Sequence, residues 1–273
     1  MSSTPIGIFD SGFGGLTVMK DIVSELHQYD YLYLGDNARS PYGTRSFDTI
    51  YHYTLECVKY LFDQNCHLVI LACNTASAKA LRTIQQQDLP NIDPQRRVLG
   101  VIRPTAEVIG NYSKTSHVGI LGTSGTVNSQ SYVMEIKKQF PELTVYQEAC
   151  PMWVPLVENQ EFDSEGADYF VKQHIDGILS QSKEIDTLLL ACTHYPLLID
   201  KIKKFVQDDI TILSQGEIVA KSLANYLNRH PEIEEKCTQN RIRRFLTTDS
   251  TNDFDAHANV FWGDSITSEF IHL

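Results

Sequence analysis

The chain has 273 residues, and 34 Asp and Glu against 23 Lys and Arg give it a net charge of −11. That balance argues against a nucleic-acid backbone or an anionic membrane as its main partner. At 42% hydrophobic and 21% charged it has the composition and length of one large or two small globular cores, and no apolar run reaches the roughly 18 to 20 residues of a membrane span.

Met1-Ser2-Ser3-Thr4-Pro5 enters a strand with no apolar leader core, so a cytoplasmic protein is expected. In chain order, residues 6–9 predict that first strand, and Asp10-Ser11-Gly12-Phe13-Gly14-Gly15 a turn into a helix over 16–26. The glycines let backbone N–H groups approach an anion at the helix start. Thr17 stands where a dinucleotide fingerprint needs its third glycine, and there is no P-loop lysine. Asp10 either caps that helix or faces a crevice, where it would pair with a substrate ammonium. A second strand over 31–34 leads into a loop punctuated by Pro41 and Gly43. Phe47, Ile50, Tyr51, Thr54, Val58, Leu61 and Phe62 recur at helical spacing and predict a helix over 46–64.

Leu68-Val69-Ile70-Leu71-Ala72-Cys73-Asn74-Thr75 is an apolar run that stops at a cysteine followed by polar residues, with a helix expected from Ala76 to Gln86. Such a run reads as a parallel strand buried on both faces. Residues 88–97, with Pro90 and Pro94, lack periodicity and are the expected domain crossing. A strand over 98–102, a helix from Pro104 to Asn111 and a strand over 116–121 follow. The loop Gly122-Thr123-Ser124-Gly125-Thr126 then starts a helix to Gln139, and 143–146 is a strand. Cys150 to Glu158 reads as irregular, with Glu158 as fitting for a solvated surface as for a site, and 163–182 as helical. Thr187-Leu188-Leu189-Leu190-Ala191-Cys192-Thr193-His194 repeats the first cysteine run. A helix over 196–206, a strand over 211–213, a helix over 215–228, a charged link over 229–240, a strand over 243–248 and a packed aromatic tail complete the chain.

Alternating strands and helices predict an α/β fold with parallel sheets. Ile6-Gly7-Ile8-Phe9-Asp10-Ser11-Gly12 also resembles Val118-Gly119-Ile120-Leu121-Gly122-Thr123-Ser124. Gly7 and Gly119 are 112 positions apart, and Cys73 and Cys192 are 119 apart. These similar offsets predict two related α/β domains, 1–97 plus 208–273 and 98–207, with the active site in the cleft between them.

A lone cysteine after a strand is more often packing than chemistry. Repetition, with polar Asn74-Thr75 and Thr193-His194 in tow, favours chemistry for Cys73 and Cys192. Of the six cysteines, Cys57 and Cys66 read as packing, and none is spaced as a CxxC pair. A helix start after each of Cys73 and Cys192 would favour thiolate over thiol. Two thiols across a cleft can remove a proton from one face of a carbon and return one to the other, inverting a stereocentre.

At these residues the chain resembles the glutamate racemases of the cofactor-independent aspartate/glutamate racemase superfamily. The matching stretches are residues 7–17, Pro41-Tyr42-Gly43, residues 72–78, Gly122-Thr123 and Ala191-Cys192-Thr193-His194-Tyr195-Pro196-Leu197. The resemblance implies that Cys73 and Cys192 are the catalytic acid/base pair, assisted by Asp10, His194 and Glu158. It places Asp10, Ser11, Tyr42, Gly43, Asn74, Thr75, Thr123, Thr193 and His194 in the substrate site. It also implies D-glutamate supply for peptidoglycan, no cofactor, no metal, and a homodimer. Arg103-Pro104-Thr105 departs from the family pattern, which commonly has an acidic or small residue before Pro-Gly, and an activator site built on a long N-terminal extension is not expected.

Four alternatives differ in what they require. A cysteine hydrolase would use Cys192 with His194, a pair that an extended segment points to opposite faces unless a loop bends there. A zinc site would need Cys73, Cys192 and His194 gathered without close ligand pairs. A binding module would hold glutamate without inverting it, and an aspartate racemase would share the chemistry.

Overall fold

A computed structural model describes residues 3–273; Met1 and Ser2, part of the segment read as leaderless, lie outside them. The strands are β1 (Ile6–Asp10), β2 (Tyr31–Gly35), β3 (Leu68–Leu71), β4 (Arg97–Gly100), β5 (His117–Gly122), β6 (Thr144–Ala149), β7 (Thr187–Ala191), β8 (Thr211–Leu213), β9 (Arg243–Thr247) and β10 (Ser268–Phe270). They form a six-stranded sheet ordered β10-β9-β2-β1-β3-β4 and a four-stranded sheet ordered β6-β5-β7-β8. Every pairing is parallel. The apolar runs behave as their composition requires, with β1, β3 and β7 buried along their whole lengths.

The duplicated plan is visible in strand order and register. The first four strands stand in the order β2-β1-β3-β4 and the next four in the order β6-β5-β7-β8, which is the same order. Gly7 pairs with Val69 and Gly119 with Leu188. In each case the cysteine follows the glycine's partner by four residues. β9 and β10 extend only the first sheet, beyond β2.

Sheet membership departs from the expected boundaries by one strand at each crossing. β4 pairs with β3, so Arg97–Gly100 stays with the first sheet instead of opening the second unit. β8 pairs with β7, so Thr211–Leu213 stays with the second. The first crossing therefore follows β4, where a short helix, Ile102–Ala106, replaces the end of the expected strand. The proline-bearing segment expected to cross is partly helical, with a turn at Leu89–Ile92. The second crossing follows β8 and enters the helix Gly216–Arg229, which packs on the helix Gly15–Glu25 of the first unit. The aromatic tail forms the helix Thr251–Trp262, burying Phe254, Ala258 and Phe261.

One apolar cluster runs through both units, joining Ile6, Leu16 and Tyr33 of the first to Trp153, Leu188 and Tyr195 of the second. Among the described residues no helix is long and apolar enough to cross a membrane.

Candidate active site

Both sheets deliver their C-terminal strand ends to one cleft, the position at which open α/β sheets bind ligands. Its cavity is about 90 Å³, well below the roughly 300 Å³ at which drug-sized pockets begin, so it suits a small metabolite. Ser11, Tyr42, Gly43, Cys73, Asn74, Thr75, Thr123, Glu158, Cys192, Thr193 and His194 all line it. Asp10 does not; it is fully buried behind the wall. Ser40, Cys150, Val154 and Pro155 also line the cavity, and the sequence carried no signal for them.

The two thiols sit in unlike settings. Cys73 is the N-cap of the short helix Asn74–Lys79; its Sγ accepts from Ala76 N at 3.4 Å and donates to Ser11 Oγ at 3.6 Å. The helix start was expected to favour its thiolate. Burial outweighs that, and with Asp10 nearby the thiol is pushed up to about 12. Cys192 has no such cap, because the segment after it turns through a 3₁₀ stretch, Tyr195–Leu198, before the helix Ile199–Lys203 begins. Its sulfur lies 3.8 Å from His194 Nδ1. An extended segment would point the two side chains to opposite faces. Instead the chain bends, with His194 in right-handed helical backbone geometry, and they meet.

His194 Nε2 faces Glu158 Oε1 at 3.1 Å. Glu158 closes a helix, Trp153–Glu158, where irregular structure was expected. Burial opposes the charged imidazolium, but the hydrogen bonds to Cys192 and Glu158 prevail and hold His194 up to about 10. Asp10 takes Gly12 N on Oδ2 at 3.1 Å, while its buried Oδ1 has no partner among the described residues. Burial raises Asp10, against the pull of His194 and the Gly15 and Gly12 N–H groups.

Hydroxyl and backbone groups tie the two units around the cavity. Thr75 Oγ1 and Thr123 Oγ1 are 2.9 Å apart, and Gly125 N donates to Gly43 O at 2.9 Å. Thr123 also caps the helix Ser124–Ser129, accepting from Thr126 N. Thr17 Oγ1 donates to Thr193 O at 2.9 Å. Tyr42 contributes its ring, since its hydroxyl is spent on buried Asp36. The glycine loop read as an anion cradle has another duty at Gly14: an added Cβ there would collide with Thr193 Oγ1 and sit 2.5 Å from His194 Nδ1. Among the described residues no three His, Cys, Asp or Glu side chains are gathered as a metal site.

The Asp/Glu/hydantoin racemase family model matches residues 6–223, both four-strand units and the cleft between them, ending before β9 and β10. The chain belongs to the Asp/Glu/hydantoin racemase family. Its relatives in that family include the glutamate racemase of Sulfurihydrogenibium sp. strain YO3AOP1, 40% identical over 271 residues, which are 98% of this chain and 97% of that one. Among solved racemases, glutamate racemase isoform RacE1 from Bacillus anthracis superposes with a TM-score of 0.90 at 34% identity, covering 100% of this chain and 99% of that one. The glutamate racemase of Francisella tularensis subsp. tularensis SCHU S4, in complex with D-glutamate, superposes with a TM-score of 0.86 at 31% identity, covering 100% and 98%. The racemase fold also holds a buried polar network that sequence reasoning missed. Asn74, Gln215, Tyr132 and Thr105 meet under the Cys73 loop, where Tyr132 reads as an ordinary helix core residue and Gln215 as a helix start.

Proposed function

We propose that this chain is a glutamate racemase, interconverting L- and D-glutamate by two-base proton transfer at the α-carbon with no cofactor. The observation that carries the reading is that Cys73 and Cys192 line the same small cavity among hydroxyl and amide groups. Relatives named glutamate racemase, matched over nearly the full length of both chains, support the choice of substrate.

In one direction the Cys192 thiolate takes the α-proton of L-glutamate. The S–H bond forms as the C–H bond breaks, and the electron pair stays on the α-carbon, delocalised into the carboxylate. The Cys73 thiol then protonates the other face, giving D-glutamate, a Cys73 thiolate and a Cys192 thiol. The reverse reaction exchanges these roles. Cys73, pushed up to about 12, is protonated at neutral pH and suits the acid. His194, held up to about 10, places a positive charge beside the sulfur that starts as thiolate. Asp10 acts from behind Cys73, and a substrate ammonium in the cavity would offset its charge and ease deprotonation of Cys73 for the reverse reaction. Glu158 acts through His194. Ser11, Asn74, Thr75, Thr123 and Thr193 hold the substrate, and Tyr42 and Gly43 shape its wall.

On the same reading the enzyme is a cytoplasmic homodimer that supplies D-glutamate for peptidoglycan, and its assembly is checked by light scattering. The reaction itself is tested by circular dichroism on L- and D-glutamate with enzyme alone, then on L-aspartate. Cys73→Ala and Cys192→Ala should each lower racemisation by about 10²- to 10⁴-fold. In D₂O each variant should exchange the α-hydrogen of one enantiomer only, Cys192→Ala that of D-glutamate and Cys73→Ala that of L-glutamate. A racemisation rate near wild type in either variant refutes the two-base scheme, and activity on aspartate alone moves the substrate assignment.

A further inference from the structure

The network beneath the Cys73 loop has a direction that can be read atom by atom. It starts at the Val101 carbonyl, which can only accept. Thr105 Oγ1 donates to it at 3.0 Å, spending the hydroxyl's single hydrogen. Thr105 Oγ1 must therefore accept from Gln215, whose Nε2 lies 3.0 Å away and also 3.4 Å from the Val101 carbonyl. With its nitrogen fixed on that side, Gln215 turns Oε1 to Asn74 and takes Nδ2 at 2.7 Å. Gln215 Nε2 also donates to the Tyr132 hydroxyl at 2.6 Å, which leaves that hydroxyl to donate to Asn74 Oδ1 at 2.5 Å.

Asn74 thus has no freedom to flip. Its oxygen is occupied by Tyr132 and one of its two N–H groups by Gln215. The second N–H has no partner among the described residues, and Asn74 lines the cavity next to Cys73. All four residues are buried: Tyr132 and Thr105 at 0%, Asn74 at 3% and Gln215 at 4% exposure. A wrong amide orientation would set donor against donor in a dry site, at a high cost.

We propose that Tyr132 and Gln215 are positioning residues for substrate binding: they lock the Asn74 amide so that it can only donate into the cleft, directing it at an oxygen acceptor of the substrate and not at its ammonium. The inference rests on the proposed glutamate site. Gln215 and Thr105 come from the two crossings between the sheets, and Tyr132 from the second unit, so the lock also ties the Cys73 loop to the relative placement of the two units.

The test uses Tyr132→Phe and the near-isosteric Gln215→Met. Each takes away one of the two hydrogen bonds that fix the Asn74 amide, and the KM for both glutamate enantiomers should rise about tenfold, as expected for one lost hydrogen bond, with kcat within a few-fold of wild type. A merely structural role would lower the melting temperature and the active fraction, reducing kcat at unchanged KM. The rise in melting temperature on adding D-glutamate should shrink in both variants, a readout that needs no turnover. Combining Tyr132→Phe with Asn74→Leu should add little to Asn74→Leu alone, because both act through one amide. Unchanged KM in both single variants of an active enzyme, or additive losses in the double variant, overturns the proposal. A wild-type protein that is inactive on glutamate yet stabilised by D-glutamate refutes racemisation; there an equal melting shift in both variants overturns the lock, and a diminished shift upholds it. Absence of both activity and shift overturns the two proposals together.

Discussion

Thr75 and Thr123 follow strands of different sheets, yet their hydroxyl oxygens are 2.9 Å apart at the rim of the cleft. Each stands at the start of a short helix, so two rigid elements meet through one hydroxyl pair.

Thr123→Val keeps the shape and removes both this link and the cap on Ser124–Ser129. The protein should lose about 1 to 2 kcal/mol of stability, one cap or hydrogen bond each being worth around 1 kcal/mol. KM for glutamate should rise, because the cleft wall loses its tie. Urea unfolding and steady-state kinetics check both, and an unchanged urea midpoint would contradict the capping role.

Glu158→Gln keeps a hydrogen-bonding group near His194 but removes the negative charge. The His194 imidazole should titrate lower than the value of about 10 it has beside Glu158 and Cys192, and racemisation should slow. ¹⁵N NMR of labelled histidine follows the titration. An unmoved His194 resonance would show that Glu158 does not hold its charge.

His194 also sets a slope of stability against pH. Its pKa rises from 6.5 unfolded to about 10 folded, so the folded state binds the extra proton. Its contribution is fully present below about 6.5 and is lost as pH rises through about 10. The contribution of His194 alone should therefore make stability decline between pH 7 and 8, before the thiols of the unfolded chain ionise at about 8.5 and add to the decline. His194→Asn should flatten that decline. Urea midpoints measured across the window decide it, and parallel curves for the two proteins would exclude His194 as the source.

Gly14→Ala inserts a methyl where Thr193 and His194 already stand. The bend that brings His194 to Cys192 must move, and displacement of that order costs about 10²-fold in rate. Far-UV circular dichroism should stay near wild type while racemisation falls. Full activity would mean the bend yields without consequence for the chemistry.

What could be read from residues alone followed a simple division. The two cysteine runs were legible because a parallel strand buried on both faces needs an unbroken apolar stretch, and because Asn74, Thr75, Thr193 and His194 make no sense as core filling. Glycine and cysteine offsets exposed the duplication for the same local reason. Strand partners were not legible: nothing in Arg97–Gly100 says it pairs with β3, since pairing is decided by distant residues. The Cys192–His194 contact was legible as a pairing of neighbours, but the bend that makes it is set by the backbone at His194, which the extended pattern does not fix. Tyr132 and Gln215 stayed hidden because a buried tyrosine and a glutamine at a helix start are ordinary until their polar atoms are traced to Asn74. Gly14 was read for what it could attract, when its neighbours are what require it.

The chain passes between the sheets twice, through Ile102–Ala106 and through Gly216–Arg229, and these two helices pack side by side. Paired covalent straps act like the knuckles of a door hinge. Swinging about their common line strains neither, whereas sliding or twisting stretches one against the other. Any swing about that line carries the strand ends that bear Cys73 and Cys192 along one arc, so the backbone itself limits how the two sulfurs could separate.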